Sequence, residues 1–146
     1  NRGAIDWKHI VALETEVNSQ NANRGKMAYL SNAKVNGALK VTEMATGTAR
    51  FLLSNEAPKT LNGYPFDWTN LVPSTLTKGT AATKCSALIF GNFQDLYIGQ
   101  WGGVDIVVDP YTGADTGEVK IVLNAWNDVK VVEPKSFAAI VDITTD

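Results

Sequence analysis

His9 and Cys85 are the chain's only histidine and only cysteine, so they are the first residues to test for nucleophilic catalysis. A Ser-His-Asp triad or a Cys-His dyad must use one or both of these side chains. His9 falls in the first turns of a predicted helix, where a solvated or capping side chain is the commoner role. No family signature of a catalytic thiol surrounds Cys85, which we interpret as a small buried hydrophobe. We therefore predict no catalytic residue and no enzyme activity.

Four carboxylates near a glycine-containing loop form a second candidate site, because several such groups together can hold calcium. They are Asp105, Asp109, Asp115 and Glu118, around the segment Pro110-Tyr-Thr-Gly-Ala-Asp-Thr-Gly117. Their spacing does not match the helix-flanked calcium loop. We favour the tip of a long hairpin, started by Asp109-Pro110, in which Gly113 and Gly117 supply positive φ angles. The carboxylates are then solvated, and we predict no metal site.

The other candidate binding residues are a group of glycines and four tryptophans. The glycines at 91, 99, 102 and 103 do not form a phosphate-binding motif at a helix start, so we predict no nucleotide cofactor. Trp7, Trp68, Trp101 and Trp126 could form a platform for carbohydrate or peptide, but such side chains more often pack in a core or at a subunit contact. We favour packing. A non-catalytic carbohydrate- or peptide-binding β-rich module is the alternative function, and a hydrolase whose site no motif reveals is a third.

Composition limits the classes of protein that need to be considered. The 146 residues, 45% hydrophobic and 19% charged, suffice for one domain with a core. A formal net charge of −2 provides no basic field, so we predict no sequence-specific nucleic-acid partner. The apolar runs are strand-sized, far short of the roughly 20 residues that cross a bilayer, and we predict no membrane partner. A single cysteine suits a reducing cytoplasm. Because the first residue is Asn1 rather than Met, we expect a fragment.

An amphipathic helix is predicted at the start of the chain. One apolar stripe at helical spacing contains Trp7, Ile10, Leu13 and Val17. Asp6 is a suitable N-cap, since its carboxylate can accept from the unpaired amides of the first turn, and Ile5 can pack on Ile10 across that cap. Polar residues and then Gly25 follow the stripe. The pattern predicts a helix from Asp6 to about Asn23.

Short elements follow this helix, and most of them are strands. Lys26–Leu30 predicts a strand, and Ser31 or Asn32 can cap a second helix. Ser74–Thr83 is predicted to be an exposed connection. The remaining predicted strands cover 51–53, 64–66, 68–72, 87–90, 96–101, 104–108, 119–123, 129–132 and 138–143. Two early helices followed by many strands predict an α+β fold rather than a doubly wound parallel sheet.

Three short segments carry a family resemblance when they are taken in order. They are Leu61-Asn-Gly-Tyr-Pro-Phe66, Ile89-Phe-Gly-Asn-Phe93 and Asp128-Val-Lys-Val-Val-Glu-Pro-Lys-Ser-Phe137. Together they resemble the C-terminal half of tailed-bacteriophage major capsid proteins, which have the Hong Kong 97-type fold. Phe66 stands where an aliphatic residue is commoner in that family, Asn92 replaces the usual acid, and Asp128 stands where many members carry Arg. The common order of the segments across most of the chain gives the resemblance its weight.

The resemblance implies a mixed central β-sheet flanked by helices. It implies an axial domain over residues 1–128 and a return segment toward the peripheral domain over 129–146, with the family's N-terminal arm, extended loop and spine helix absent. The implied function is structural: copies of the full-length protein, made in the bacterial host cytoplasm, form the hexamers and pentamers of a virion capsid. We expect the isolated fragment to be monomeric or weakly associated. The candidate capsomer-interface loop consists of Pro110, Tyr111, Thr112, Gly113, Ala114, Asp115 and Thr116.

Overall fold

The structure, a computed structural model, describes residues 3–54, 56–79 and 81–145, with side chains left undescribed at 81–83. Its two helices are α1 (Trp7–Ser19) and α2 (Ala33–Val41). Its strands are β1 (Met27–Ser31), β2 (Thr60–Leu61), β3 (Tyr64–Trp68), β4 (Leu76–Lys78), β5 (Ala81–Asn92), β6 (Leu96–Gly113), β7 (Glu118–Val131) and β8 (Phe137–Thr144). Single 3₁₀ turns cover Phe93–Asp95 and Pro134–Ser136. Neither helix in the described part of the chain is long and apolar enough to span a membrane.

The chain divides into two compact units. The first, here called the body, contains the described residues up to Asp95 and from Glu133 onward. The second, here called the ribbon, is Leu96–Val132 and consists of β6, β7 and the turn between them. Both crossings between the units therefore lie beside a short 3₁₀ turn.

The body is built on one mixed sheet with the order β2-β3-β1-β5-β4, and β8 also pairs with β5. β1 runs parallel to β3, whereas all other pairs in this sheet are antiparallel. Ile89 of β5 pairs with both Leu30 and Ala139, so β1 and β8 occupy opposite edges of β5. With its two helices, the body confirms the predicted α+β class and the mixed central sheet.

The start of α1 is fixed by local hydrogen bonds, as the sequence predicted. The Asp6 carboxylate accepts from the Trp7 amide, and the Asp6 amide donates to Nδ1 of His9 at 3.2 Å, which completes a capping box. Ile10, Leu13 and Val17 are buried, so the predicted stripe faces the core. His9 is therefore a capping residue, one of the two roles predicted for it.

The end of α1 differs from the prediction. The helix ends at Ser19 rather than near Asn23, because Asn21 adopts a left-handed φ of 53° and reverses the chain. The Gln20 and Ala22 amides both donate to the carbonyl of Val17, and Ala22 is buried in the core. Asparagine tolerates the left-handed conformation, so Asn21 can stop the helix without the glycine at position 25.

The second helix, α2, begins at an asparagine cap. Oδ1 of Asn32 accepts from the Val35 amide at 3.0 Å, and its Nδ2 donates to the Pro73 carbonyl at 3.1 Å. Of the two predicted caps, Asn32 is therefore the one used. Val35 and Leu39 are fully buried in the core, and Ala38 is partly buried and packs against it.

Several predicted strands have different limits in the structure. Only isolated bridges form at Phe51 and Leu53, and residues 69–72 form a turn after β3. The predicted connection Ser74–Thr83 contains β4 and the start of β5, with residue 80 outside the described part. The strands predicted separately at 96–101 and 104–108 are parts of one long strand, β6. Those predicted at 119–123 and 129–132 are likewise parts of one long strand, β7. These differences come from pairing between distant segments, which local patterns do not report.

Candidate interaction surfaces

The motif residues Ile89–Asn92 form the end of β5, and Phe93 begins the 3₁₀ turn that follows it. Phe90 is fully buried, and its ring centroid lies 4.3 Å from that of Tyr29 and 5.1 Å from that of Tyr64. Gly91 pairs with Phe137 of β8, and a Cβ at Gly91 would lie 2.6 Å from the Ser136 carbonyl oxygen. Phe93 packs edge-to-face on Phe137, with the ring centroids 5.5 Å apart. The Phe-Gly-x-Phe spacing thus places rings on either side of a point where only glycine fits.

A polar cluster joins the two ends of the chain that enter and leave the ribbon. Asn92 is buried; its Oδ1 accepts from the Lys26 and Gln94 amides, each at 3.2 Å, and its Nδ2 donates to Oδ2 of Asp95 at 3.1 Å. The same Asp95 oxygen accepts from the Ser136 hydroxyl at 2.5 Å. The two chain segments that bracket the ribbon are therefore fixed to each other within the body.

This cluster gives a physical reason for the amide at position 92, where the sequence resemblance leads one to expect an acid. A carboxylate at 92 could still accept from the two backbone amides, but it could not donate to Asp95. Two ionised carboxylates would then lie about 3 Å apart, which is unfavourable at neutral pH. Asn92 is therefore matched to Asp95.

We expect Asn92→Asp to lower the free energy of unfolding at pH 7 by about 2 kcal/mol, because a buried donor is replaced by a like charge. The loss should shrink as the pH falls toward about 4, where the introduced carboxylate can take up a proton. Urea unfolding at both pH values measures this. The exchanged pair Asn92→Asp with Asp95→Asn restores one donor and one acceptor and should recover most of the stability; a pH-independent loss with no recovery would contradict the pairing.

The segment Leu61–Phe66 forms the tight turn between β2 and β3 and contacts α1. Asn62 and Gly63 occupy the turn with φ angles of 51° and 80°. The Glu14 carboxylate accepts from Nδ2 of Asn62 at 2.5 Å and from the Tyr64 hydroxyl at 3.2 Å, so helix and turn are bound to each other. Pro65 precedes the residues of β3 that pair with β1, a position that needs no amide donor from it.

Tyr29 lies beneath this contact. Its hydroxyl donates to the Ile10 carbonyl at 3.4 Å, and its side chain is fully buried. Burial, reinforced by the Glu14 carboxylate, raises the pKa of Tyr29 well above its ordinary value. The hydroxyl therefore stays protonated and able to donate well above neutral pH.

The predicted interface loop lies at the tip of the ribbon. Residues 110–113 end β6, and residues 114–117 form the turn. Tyr111 is 85% exposed, and the rest of the loop is also exposed apart from the half-buried Gly113. Gly117 has the expected positive φ of 74°, whereas the prediction of a positive φ at Gly113 is wrong. Gly113 is needed for space instead, because a Cβ there would lie 2.9 Å from Cβ of Glu118.

Asp109 orders the approach to this turn. Its carboxylate accepts from the hydroxyl and amide of Thr112 and from the Tyr111 amide. These hydrogen bonds lower the pKa of the exposed Asp109 carboxyl below its ordinary value, and the bond from the Thr112 hydroxyl contributes most. Folding thus favours the ionised form of Asp109. The stabilisation that its hydrogen bonds give the turn is lost only when the pH is low enough to protonate the carboxylate.

The other candidate residues do not assemble into a reactive centre in the structure. Within residues 3–54, 56–79 and 81–145, no group of three or more His, Cys, Asp or Glu side chains is placed to hold a metal ion. Cys85 is fully buried, as predicted. Trp7 packs partly buried against the core, but Trp68, Trp101 and Trp126 are exposed, so packing inside the fold is wrong for these three.

The ribbon has two chemically different faces, which follow from its register. Directly paired residues share a face, and Trp101 pairs with Trp126, Ile106 with Leu123 and Val108 with Ile121. The apolar face consists of Leu96, Ile98, Gln100, Ile106, Val108, Val119, Ile121, Leu123, Ala125, Asn127, Val129 and Val131. The polar face consists of Tyr97, Gly99, Trp101, Asp105, Val107, Asp109, Glu118, Lys120, Val122, Asn124, Trp126, Asp128 and Lys130. The alternation over 118–131 is the sequence signal that could have revealed these faces.

Comparison with known proteins gives a consistent result. A family model described as the phage capsid family matches residues 1–142. A major capsid protein of Halomonas phage phiHAP-1 is 30% identical over 125 residues, which cover 86% of this chain and 18% of that protein. The chain thus spans less than a fifth of that relative.

Two solved structures share the fold. The capsid of an empty GTA particle superposes with a TM-score of 0.61 at 18% identity, covering 92% of this chain and 42% of that one. A chain from Mycobacterium phage Che8 gives a TM-score of 0.62 at 13% identity, covering 95% of this chain and 50% of that one. At these identities the likeness concerns the fold alone, and the chain spans half or less of each structure.

Proposed function

The chain belongs to the phage capsid family, and we propose from this premise that it is part of a major capsid protein, the structural protein that builds the icosahedral shell of a tailed phage or prophage. The observation that carries the proposal is the family match over residues 1–142, supported by the curated major capsid protein that is 30% identical. The partners are then further copies of the same protein, as hexamers and pentamers when full length. The protein acts in the virion capsid after synthesis in the host cytoplasm.

The proposal includes a structural role without catalysis or cofactor. The chemistry of the described side chains supports it, since His9 caps a helix and Cys85 is buried. We also propose the axial domain over residues 1–128 and the return segment over 129–146. The compact units divide along a different line, at Leu96 and Val132, so this domain boundary stays a prediction.

Electron microscopy of the full-length protein, expressed alone or with its phage's assembly proteins, tests the shell function. Closed particles with icosahedral order support it, whereas a discrete small oligomer without curvature would argue against it. The alternative carbohydrate- or peptide-binding module has one observation in its favour, the exposed and directly paired Trp101 and Trp126. Specific binding of the chain on a glycan array would favour that module.

We further propose that the loop Pro110–Thr116 contacts neighbouring copies around a ring axis. Exposed polar loops held on a rigid strand pair can meet different neighbours in five-fold and six-fold rings. The tip is exposed and is ordered by its own bonds, including the Thr116 amide to the Gly113 carbonyl at 3.1 Å. These bonds fix the local conformation of the turn that the loop presents.

Replacing Tyr111–Thr116 in the full-length protein by a two-residue Asn-Gly turn should prevent capsomer formation while the subunit still folds. Electron microscopy measures particle yield, which we expect to fall at least about tenfold if each removed contact recurs in every ring. Tyr97→Ala is the matched control, because Tyr97 is also exposed on the ribbon but pairs with Lys130, far along the strands from the tip. Normal shells from the shortened tip would remove the loop from the interface.

A further inference from the structure

The sheet of the body ends in one long edge strand. β8 has eight residues, whereas the other edge strands, β2 and β4, have two and three. Among the described residues, Gly3 is the one backbone partner of β8 on the side away from β5. The edge over Phe137–Val141 is therefore a row of backbone groups to which a further strand can pair, and proteins usually cover or blunt such an edge.

Gly3 indicates the direction in which a covering strand would run. It pairs in parallel with Ile143, and its carbonyl accepts from the Thr144 amide at 2.9 Å. Both strands of a parallel pair run in the same direction, so a strand that continues upstream of Gly3 passes successively earlier residues of β8. The φ of 72° at Gly3, which favours glycine, lets the chain leave this edge before α1 begins at Trp7.

We propose that the segment of the full-length protein that leads into Gly3 adds a parallel strand along the edge Phe137–Val141. About five or six residues, at about 3.3 Å each, suffice to cover this edge. The inference goes beyond the shell function and does not rest on it, because it requires only that the chain is part of a longer protein. The curated relative has such a length, since the matched residues cover 18% of it.

A groove between α1 and β8 lies at the same edge and has room for an added strand. Its volume is about 290 Å³, and it is lined by Ala12, Leu13, Glu16, Ala138, Ala139 and Ile140. Three of these six residues are alanines, so another backbone can approach closely. The lining carries one charge, on the exposed Glu16. The groove therefore suits a strand that directs small or apolar side chains toward α1.

Covalent attachment favours this occupant over a separate chain. A segment joined to Gly3 is held near the edge at a millimolar effective concentration, so a free copy at micromolar concentration competes poorly. The pair Gly3 with Ile143 also sets the direction and register of the added strand before further bonds form. A strand from another copy would have to end at Gly3 or displace it.

Hydrogen exchange of the full-length protein, kept as dissociated subunits, tests the proposal. In one variant the natural residues that lead into Gly3 are replaced by Gly-Pro repeats of the same length, which lack strand propensity and half of the amide donors. We expect the amides of residues 137–141 to exchange at least about tenfold faster in this variant, because the pairing at the edge is lost. The amides of β4, which pairs with the opposite side of β5, should exchange at an unchanged rate.

A matched pair of substitutions on α1 tests the groove with the natural segment in place. Ala12 and Thr15 are both exposed, but of the two only Ala12 lines this groove. Ala12→Trp fills the groove and should speed exchange at residues 137–141 at least about tenfold, whereas Thr15→Trp should change it less than about threefold. Circular dichroism confirms that each variant is folded, and this pair decides the question if the Gly-Pro variant does not fold.

Three outcomes would overturn the proposal. Exchange at residues 137–141 that neither the Gly-Pro replacement nor Ala12→Trp changes would mean that no upstream strand pairs there. Protection that rises with protein concentration from about 1 to 100 µM would show that a second copy supplies the strand. Equal effects of Ala12→Trp and Thr15→Trp would mean that the groove does not hold it.

Discussion

Phe90→Ala should lower the free energy of unfolding of the body by about 4 kcal/mol, the largest single effect that we expect. Phe90 is fully buried in β5, the strand that pairs with β1, β4 and β8. Its ring contacts Tyr29 and Tyr64, so truncation removes two aromatic contacts and leaves a cavity that the central sheet cannot close. Urea unfolding followed by circular dichroism measures the loss.

Two comparisons separate a core effect from a general loss of aromatic area. Phe51→Ala removes the same atoms from a side chain that is 38% exposed and makes only an isolated bridge, and it should cost about 1 kcal/mol. Phe90→Leu retains most of the buried volume and should cost about 1.5 kcal/mol. Equal losses from Phe90→Ala and Phe51→Ala would mean that the three-ring cluster does not stabilise the body.

The elements that the sequence predicted well are those fixed by near neighbours. Asp6 and Asn32 bond to amides within their own first turns, so the helix starts could be identified without knowledge of the fold. The core stripe of α1 could be predicted for the same reason, because helical spacing places its residues on one side. The motif segments were recognised by their order, and the structure gives Gly91 and Asn92 physical roles there.

The elements that the sequence predicted poorly depend on partners far away in the chain. The predicted strands 96–101 and 104–108 are separated at Gly102 and Gly103, but in the structure these glycines lie in an irregularity within the single strand β6. The pairing resumes beyond them, since Trp101 pairs with Trp126 and Asp105 with Asn124. β4 forms because the chain around Leu76 lies against β5, which composition alone does not show. The tryptophans were expected to pack because aromatic residues usually do. Three of them lie on surfaces, where only a partner could bury them.

Gly91→Ala should lower the free energy of unfolding by about 3 kcal/mol, although it adds a single methyl group. The added Cβ would lie 2.6 Å from the Ser136 carbonyl oxygen and against the Phe137 ring. A ring can turn aside, but the carbonyl belongs to the backbone that brings β8 into register with β5. Relief therefore requires the strand pair to separate, and the loss appears in urea unfolding of the body.

A second glycine provides the opposite expectation and so tests the cause. Gly37 lies in α2, and nothing approaches within 4 Å of a Cβ built on it. Gly37→Ala should raise the stability by about 0.5–1 kcal/mol, because alanine restricts the unfolded chain and favours the helix. The double variant Gly91→Ala with Phe137→Ala removes the ring but not the carbonyl, so it should remain less stable than Phe137→Ala alone. If adding the methyl group cost nothing in that background, the ring rather than the backbone would require glycine at position 91.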